Sequence, residues 1–566
     1  MTDPCSLSFD PLGEVQMPIH KRQTGRSSRL LAMIGAAVAI NLTGALAAHA
    51  EWLRAETDHF IVYGDTSEAS LRRYARKVER FDALLRTYYP IETDYEIPKL
   101  EIFMANGQRD MNRISPGIDG GVAGYYTPNS ERIHAVVNTR SQMGDVVVFH
   151  EYAHHFMFQM RANAYPSWFV EGFAEYYSTA DVVNDRIQFG FHNPGRMNSL
   201  TAGANTWADM EHVLKWRVTA SGRYPAHLYY AQAWAMTHYF MSTPERIRML
   251  GDYLTAVISG VDSVVAMQNA TGRTADELQN DIRRYLTGRI NVLSPQIELP
   301  EPEVKITQLP KSVADAIWLD IRLDNEPVIE TPSDDDGRTK KSDSQKAREA
   351  REEAEHRAEL IRSALAMAET HKADRTGLLL AARAHRLEKR PDLALATLEP
   401  SLDNAQTDAD ILRVAAMALL DQAGAETDAE AAVALRRRAS GYLARAMDSD
   451  PTDFRIYLGL NDTRRGGPRY PTDNDLSTLE VATALAPQSF ETRLRLADAY
   501  MARDMNAQAV LMLTPVSNSP HRSAYTRRAR EMIAKARVSM GQAAEDPGEA
   551  PEDDEPSESP ASDATE

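Results

Sequence analysis

The sequence predicts an α+β fold for its first half and an all-α fold of recurring helix pairs for its second half. Before residue 138, short apolar runs typical of strands alternate with one helical stretch. After that point, most hydrophobic patterns recur at about 3.6 residues, which is typical of helices. A charged stretch at 325–346 separates the two halves. The length of 566 residues indicates several domains rather than one.

The first half begins with strands and a helix. Strands are predicted at Asp58–Asp65, Lys99–Met104 and Glu131–Asn138. A helix is predicted from Ser67 to about Tyr89, because its apolar residues recur at helical spacing. Glycine-rich residues 117–124 indicate a loop, and the chain after the third strand is predicted to be mostly helical to about residue 288. A small sheet followed by a helical half is therefore expected at 51–288.

The second half is predicted to consist of helical repeats. Residues 289–346 contain several prolines and three consecutive Asp, which indicates a connecting segment and a charged linker. Residues 347–540 show helical patterns with small residues at recurring positions and Asp450-Pro451 or Ala486-Pro487 where helices end. This pattern resembles degenerate tetratricopeptide (TPR) repeats. A non-repetitive helical bundle is the alternative.

The net charge of −18 is concentrated at the C-terminus. Residues 541–566 carry ten acidic residues, four prolines and no basic residue. Such a composition cannot bury enough apolar surface to order itself, so it predicts a disordered acidic tail. The overall acidity argues against a nucleic-acid partner, because binding to phosphates needs clustered Lys and Arg.

The first 50 residues have the pattern of an export signal. Four basic residues precede the apolar run Leu30–Ala48, and Ala48-His49-Ala50 supplies the small residues of a cleavage site. An uncleaved N-terminal anchor is the alternative, and it would be the chain's contact with a membrane; Met17 is an alternative start. The one cysteine, Cys5, precedes the predicted cleavage site, so the mature chain has no disulfide. We expect an exported protein, periplasmic or secreted from a bacterial envelope.

The strongest chemical signal is the pair of histidines in His150-Glu-Tyr-Ala-His154. Residues i and i+4 lie on one face of a helix, so His150 and His154 can bind one Zn²⁺ ion. Glu151 is directed to the same side and can take a proton from a water molecule at the metal. The spacing therefore predicts a catalytic zinc site.

A second predicted helix opens after Pro166 and supplies two further acidic residues. Glu171, seventeen residues after His154, can return to the metal as the third ligand. Glu175 lies on the same helical face, where it can accept the outer N–H of a ligand histidine.

The HExxH motif followed by a helix of the pattern W-x-x-E-G-x-A-E-Y resembles the gluzincin metallopeptidases, the superfamily (peptidase MA) of thermolysin and the zinc aminopeptidases. The resemblance extends over about residues 52–288 and implies Glu171 as the third ligand. In the related aminopeptidases, a tyrosine opening an apolar helix donates to the oxyanion. Tyr230 matches that position best, with Tyr229 as fallback, and His227 is an alternative donor of the thermolysin type.

The resemblance also implies a substrate geometry. In gluzincins an edge strand before the active-site helix pairs with the substrate backbone. The resemblance assigns this role to residues 132–138. Aminopeptidases carry a G-x-M-E-N motif nearby, but this chain has Gly121-Val-Ala-Gly-Tyr125. This departure favours an endopeptidase or an unusual substrate. His155 is rotated away from the metal face, so we expect a structural role for it, as for His134 and His238.

Together these motifs predict an exported zinc metallopeptidase that hydrolyses a protein or peptide, with the helical repeats binding the substrate or a protein partner. The alternative is an envelope scaffold that binds a partner through its repeats and retains an inactive peptidase-like domain. The complete set of His150, His154, Glu171 and Glu151 argues against that alternative.

Overall fold

The computed structural model describes residues 52–542 except for short gaps, at 92–94, 119, 161–162, 183–186, 202–206, 219–223, 289, 291, 327–341, 405–407 and 521–522. The predicted export signal at 1–50 and nearly all of the predicted acidic tail at 541–566 lie outside the described residues. Within them, the chain forms six strands in one mixed sheet and 21 helices. The predicted order of an α+β part followed by a helical part is confirmed.

The sheet is built from six strands: β1 (Trp52–Glu56), β2 (Phe60–Asp65), β3 (Leu100–Ala105), β4 (Gly124–Pro128), β5 (Ile133–Asn138) and β6 (Lys305–Gln308). Their spatial order is β4-β5-β3-β2-β1-β6. β2, β3 and β5 are parallel, whereas β4, β1 and β6 pair antiparallel with their neighbours. The β4 end of the sheet lies against the helix that carries the histidine pair.

The assignment of the edge strand to residues 132–138 is wrong. β5 lies between β3 and β4, and β4 forms the edge of the sheet. β4 has only five residues, begins with Gly124 and ends with Pro128, so its sequence looks like part of the preceding glycine-rich loop.

Ten helices follow or interrupt the strands of the first half: α1 (Glu68–Tyr88), α2 (Gln108–Ile114), α3 (Gly144–Met160), α4 (Ser167–Ser178), α5 (Pro194–Thr201), α6 (Met210–Lys215), α7 (Ala226–Phe240), α8 (Pro244–Ile258), α9 (Ser263–Thr271) and α10 (Ala275–Leu286). α1 and α3 pack on one face of the sheet, where the rings of Phe81 and Phe149 stack 3.9 Å apart. This core holds α3, the helix that carries the histidine pair, in place against the sheet.

The remaining helices form the second half: α11 (Lys311–Asn325), α12 (Asp343–Thr370), α13 (Arg375–Leu387), α14 (Pro391–Leu402), α15 (Ala409–Ala425), α16 (Ala429–Ser449), α17 (Phe454–Arg464), α18 (Asp473–Leu485), α19 (Phe490–Ala502), α20 (Asn506–Ser517) and α21 (Ala524–Ser539). Consecutive helices pack together, and several helices also pack against the next but one, as α13 does against α15. This arrangement is typical of stacked helical hairpins.

α11 falls inside the segment predicted to be a connector. It covers the second face of the sheet, where Ile317 and Ile321 pack against Phe103 and Val136. The prolines before it and the charged residues after it obscured its apolar face in the sequence. The sheet therefore has a hydrophobic core on both sides.

None of the helices in the described part of the chain combines the length and the apolar composition needed to cross a lipid bilayer.

Candidate metal centre

α3 and α4 bring the predicted metal ligands together. His150 and His154 lie one turn apart on α3, and α4 begins directly after Pro166, whose backbone is extended (φ −66°, ψ 143°). Gly172 lets α4 approach α7 closely, because a Cβ there would lie 2.1 Å from Thr237 Oγ1 and 2.5 Å from the carbonyl oxygen of Ala233. Glu171, the preceding residue, is fully buried and directed towards α3.

The three ligand atoms converge on one point. Nε2 of His150 and Nε2 of His154 are 3.1 Å apart, and Oε2 of Glu171 lies 3.3 Å and 3.5 Å from them, respectively. Ligand atoms arranged tetrahedrally around one zinc ion are about 3.3 Å apart. Two imidazole nitrogens and one carboxylate oxygen are also a common ligand set for catalytic zinc. The residues present therefore fit a zinc ion.

The charges around the site favour a cation. Burial alone would lower the pKa of His150, but its hydrogen bond to Glu171 and the charges of Glu175, Glu171 and Glu151 raise that pKa to about 9. The same negative charge that stabilises a proton on His150 would stabilise a bound metal ion.

Glu175 contacts the outer nitrogen of His150. Its Oε1 lies 3.5 Å from His150 Nδ1. Arg196, on α5, donates from Nη2 to Oε1 at 2.8 Å and from Nε to Oε2 at 3.1 Å, so it fixes the carboxylate through both oxygens. Sequence reasoning missed Arg196, since its position follows no motif and only the fold brings α5 to α4.

Glu151 lies on the open side of the ligands. It is partly buried and lines a cavity together with His154 and Glu171. A carboxylate in this place can exchange protons with a molecule bound in the cavity.

Tyr230 is the better placed of the two tyrosine candidates. Its ring lies 6.4 Å from that of His150, and Arg196 lies over its face, 4.8 Å from the ring centroid. Burial and the charge of Glu171 raise the pKa of Tyr230 well above its ordinary value, so the phenol stays protonated. The hydroxyl of Tyr229 donates to the carbonyl of Trp216 at 2.7 Å, and His227 is exposed at the start of α7.

The other histidines lie apart from the ligand set. Nδ1 of His155 is 2.8 Å from the hydroxyl of Tyr126 on β4, and its Nε2 is within 3.2 Å of the amides of Gln159 and Gln488. Burial lowers the pKa of His155 to about 3, so it is neutral. His238 is buried against the hydroxyl of Tyr285 and a backbone carbonyl.

A second group in the described part of the chain has the composition of a metal site: His59, Glu79 and Asp82. Its polar atoms are already paired. Nδ1 of His59 lies 2.6 Å from Glu79 and 3.1 Å from Asp82, and Asp82 also accepts from Arg86 and Tyr152, each at 2.6 Å. The guanidinium supplies the positive charge that a metal would provide, so we interpret this group as an ion-pair network.

Part of the chain matches a known protein family, but the description of that family names no activity. Residues 146–256 are similar to a family described as a protein of unknown function (DUF1570). The matched stretch runs from the first turns of α3 into α8, and therefore contains the three ligands, Glu151 and Tyr230. No curated protein matches the chain significantly.

Proposed function

We propose that this chain is an exported zinc metallopeptidase that cleaves within protein or peptide chains. The observation that carries the proposal is the convergence of His150, His154 and Glu171 on one point with Glu151 on the open side. The resemblance of the two motifs to gluzincins supports the same conclusion. An idle site has no physical reason to keep two imidazoles and two carboxylates together in a largely buried position.

Each residue of the site has a role in peptide hydrolysis. Bound zinc would supply Lewis-acid chemistry at the position that the three ligands leave open. Glu151 acts as general base towards the attacking water and then gives the proton to the leaving amine. The phenol of Tyr230, protonated at neutral pH, donates to the oxyanion that develops on the scissile carbonyl.

Two residues orient the site without touching the substrate. The carboxylate of Glu175 lies 3.5 Å from the outer nitrogen of His150, where its charge favours a proton on Nδ1 and so leaves Nε2 free for the metal position. Arg196 in turn fixes Glu175 through two hydrogen bonds. Mutation of an outer partner of this kind typically lowers metal affinity by about 10–100-fold.

The helical second half supports a protein substrate rather than a small molecule. Stacked helical hairpins, here with TPR-like sequence patterns, present extended surfaces for binding to protein chains. The proposal that the protein is exported to a bacterial envelope is based on the basic and apolar pattern of residues 1–50.

Replacing Glu151 with Gln tests the mechanism directly. We expect the purified Glu151→Gln protein to bind one zinc ion per chain, as the wild type does, but to cleave an unstructured protein such as casein at least about 100-fold more slowly. Metal content is measured by plasma mass spectrometry and cleavage by appearance of new N-termini. Glu352→Gln, at an exposed position on α12, is the matched control and should cleave at the wild-type rate.

The possible outcomes separate the alternatives. A wild-type protein without zinc would contradict the proposal at its base, and an equally active Glu151→Gln protein would contradict the mechanism. Stoichiometric zinc without cleavage of any unstructured protein would favour an envelope scaffold with an inactive peptidase-like domain.

A further inference from the structure

A cavity of about 240 Å³ lies directly beside the candidate metal ligands. Glu151, His154 and Glu171 form one side of it. The opposite side comes from the second half of the chain, more than 300 residues later: the start of α19 at Phe490, and the end of α20 with the turn that follows it, at Pro515 and Pro520. The substrate side of the metal centre is therefore built by both halves of the chain.

Most of the cavity surface is apolar. Met157, Phe158 and Val170 line it from the first half, and Phe490 meets Phe158 edge-on, with 6.0 Å between ring centroids. An apolar cavity of roughly 150 Å³ holds a benzene ring. This cavity thus has room for one large aliphatic or aromatic side chain, with the acidic residues of the metal centre at one end.

The two turns from the second half are fixed to the first half by hydrogen bonds. The buried amide of Gln488 donates to the ring and to the carbonyl oxygen of His155, at 3.2 Å and 3.3 Å. Ser167, at the start of α4, donates to the carbonyl of Asn518 at 2.8 Å. These contacts join the cavity wall to the same two helices that carry the metal ligands, so the wall is part of the site.

We propose that the helical second half determines specificity: its turns at 488–490 and 515–520 close a pocket that takes the apolar side chain of the substrate residue next to the scissile bond. This inference rests on the proposed peptidase function. It gives the repeats a role inside the active site, with Phe490 as the main specificity-determining residue. The substrate class is an unfolded or extended protein segment with a large apolar residue at the cleavage site.

The size of the side chain at 490 should set the preference. In a peptide library cleaved by the zinc-loaded enzyme, the wild type should select Leu, Phe or Met next to the cleaved bond. Phe490→Trp should lower kcat/KM for Phe-containing peptides by about tenfold and shift the preference to smaller residues, while Phe490→Ala should shift it to larger ones. Leu511→Ala, 69% exposed on α20, is the control and should keep the wild-type profile.

A binding measurement decides the proposal independently of turnover. Fluorescence anisotropy with the Glu151→Gln protein and labelled peptides should show about tenfold weaker binding when the apolar residue is replaced by Ser, and this difference should shrink in the Glu151→Gln/Phe490→Ala double variant. Thermal unfolding checks that each variant is folded, and Phe490→Leu replaces Phe490→Ala if the latter unfolds.

Failure of the pocket and failure of the peptidase function give different results. Unchanged cleavage profiles and equal peptide affinities in all Phe490 variants, with zinc and proteolysis intact, would overturn the pocket alone. Absence of zinc and of cleavage would overturn the peptidase function, and the anisotropy difference would still decide whether the pocket selects apolar side chains.

Discussion

At the scale of single residues, Arg196 connects the parts of the candidate metal centre. Its guanidinium donates twice to Glu175 and lies over the ring of Tyr230, so one side chain touches the partner of His150 and the candidate oxyanion donor. Burial works against the Arg196 charge, but Glu175 outweighs it and raises the pKa of the guanidinium. Arg196 therefore remains a cation, and its contact with the ring face orients Tyr230. The phenol of Tyr230 stays uncharged.

The burial of His134 should make the stability of the folded chain depend on pH. It is fully buried on β5, and among the described residues neither ring nitrogen has a hydrogen-bond partner in good geometry. Burial and the charge of Arg132 lower the pKa of His134 to about 3. Below pH 6.5 the unfolded chain therefore binds a proton that the folded chain excludes, and stability decreases as the pH falls from 6.5 towards 3.

We predict that His134→Leu weakens this pH dependence. At pH 7 the variant should be as stable as the wild type, or more stable by about 1 kcal/mol, because an unpaired buried polar group is removed. Between pH 6.5 and 4.5 its melting temperature should fall less than that of the wild type. Thermal unfolding followed by circular dichroism at both pH values measures the difference; parallel curves would contradict the assigned pKa.

At the scale of elements, local patterns predicted the helices that carry the candidate metal ligands, whereas long-range contacts escaped prediction. The i and i+4 spacing of His150 and His154 and the helix after Pro166 are local, so the sequence alone placed the ligands on two helices. β4 and α11 were missed because one is short and bounded by Gly and Pro, and the other lies among charged residues. Arg196 and the cavity wall at 488–490 and 515–520 depend on contacts across the fold, which no local pattern encodes.

The contact between α4 and α7 leads to a prediction for Gly172. A Cβ at this position would clash with backbone and side-chain atoms of α7, so Gly172→Ala must push the two helices apart. We expect a loss of about 1–3 kcal/mol in the free energy of unfolding, together with weaker zinc binding because Glu171 shifts. Urea unfolding and zinc titration measure the two effects.

Gly441 on α16 provides the matched control for that substitution. No atom lies within 4 Å of a Cβ built there, so Gly441→Ala should be neutral or stabilising by up to about 1 kcal/mol. Equal stability of the two variants would contradict close packing of α4 on α7.

At the scale of the whole molecule, buried ion pairs fasten the helical half to the sheet. Asp324 on α11 is 2% exposed and pairs with Arg132, 2.6 Å away beside β5, and with Arg383 on α13. Arg413 on α15 reaches Glu131 at 3.3 Å, and Arg455 donates to the backbone carbonyl of Glu131 at 3.1 Å. These charged side chains of the helical half thus form contacts within the chain.

Removing the charge of Asp324 should weaken this attachment. In Asp324→Asn, Arg132 and Arg383 lose one shared carboxylate but keep their pairs with Asp320, so we expect a loss of about 1–3 kcal/mol in the free energy of unfolding at pH 7. Lys311→Gln on the same helix breaks an exposed pair with Asp315 and should cost less than about 1 kcal/mol. Urea unfolding of both variants tests this, and a loss as small as that of Lys311→Gln would show that the pair does not fasten the two halves.

The hydrogen bond from Ser167 to the carbonyl of Asn518 joins residues 351 positions apart. At about 5–20 residues per second, a ribosome needs roughly 20–70 s to add the residues between them. Throughout that interval the histidine and glutamate ligands are already synthesised, but the turn that closes the cavity beside them does not yet exist. Synthesis order thus delays completion of the cleft until α20 and the turn after it have been made, and a fragment that stops before residue 488 lacks the wall altogether.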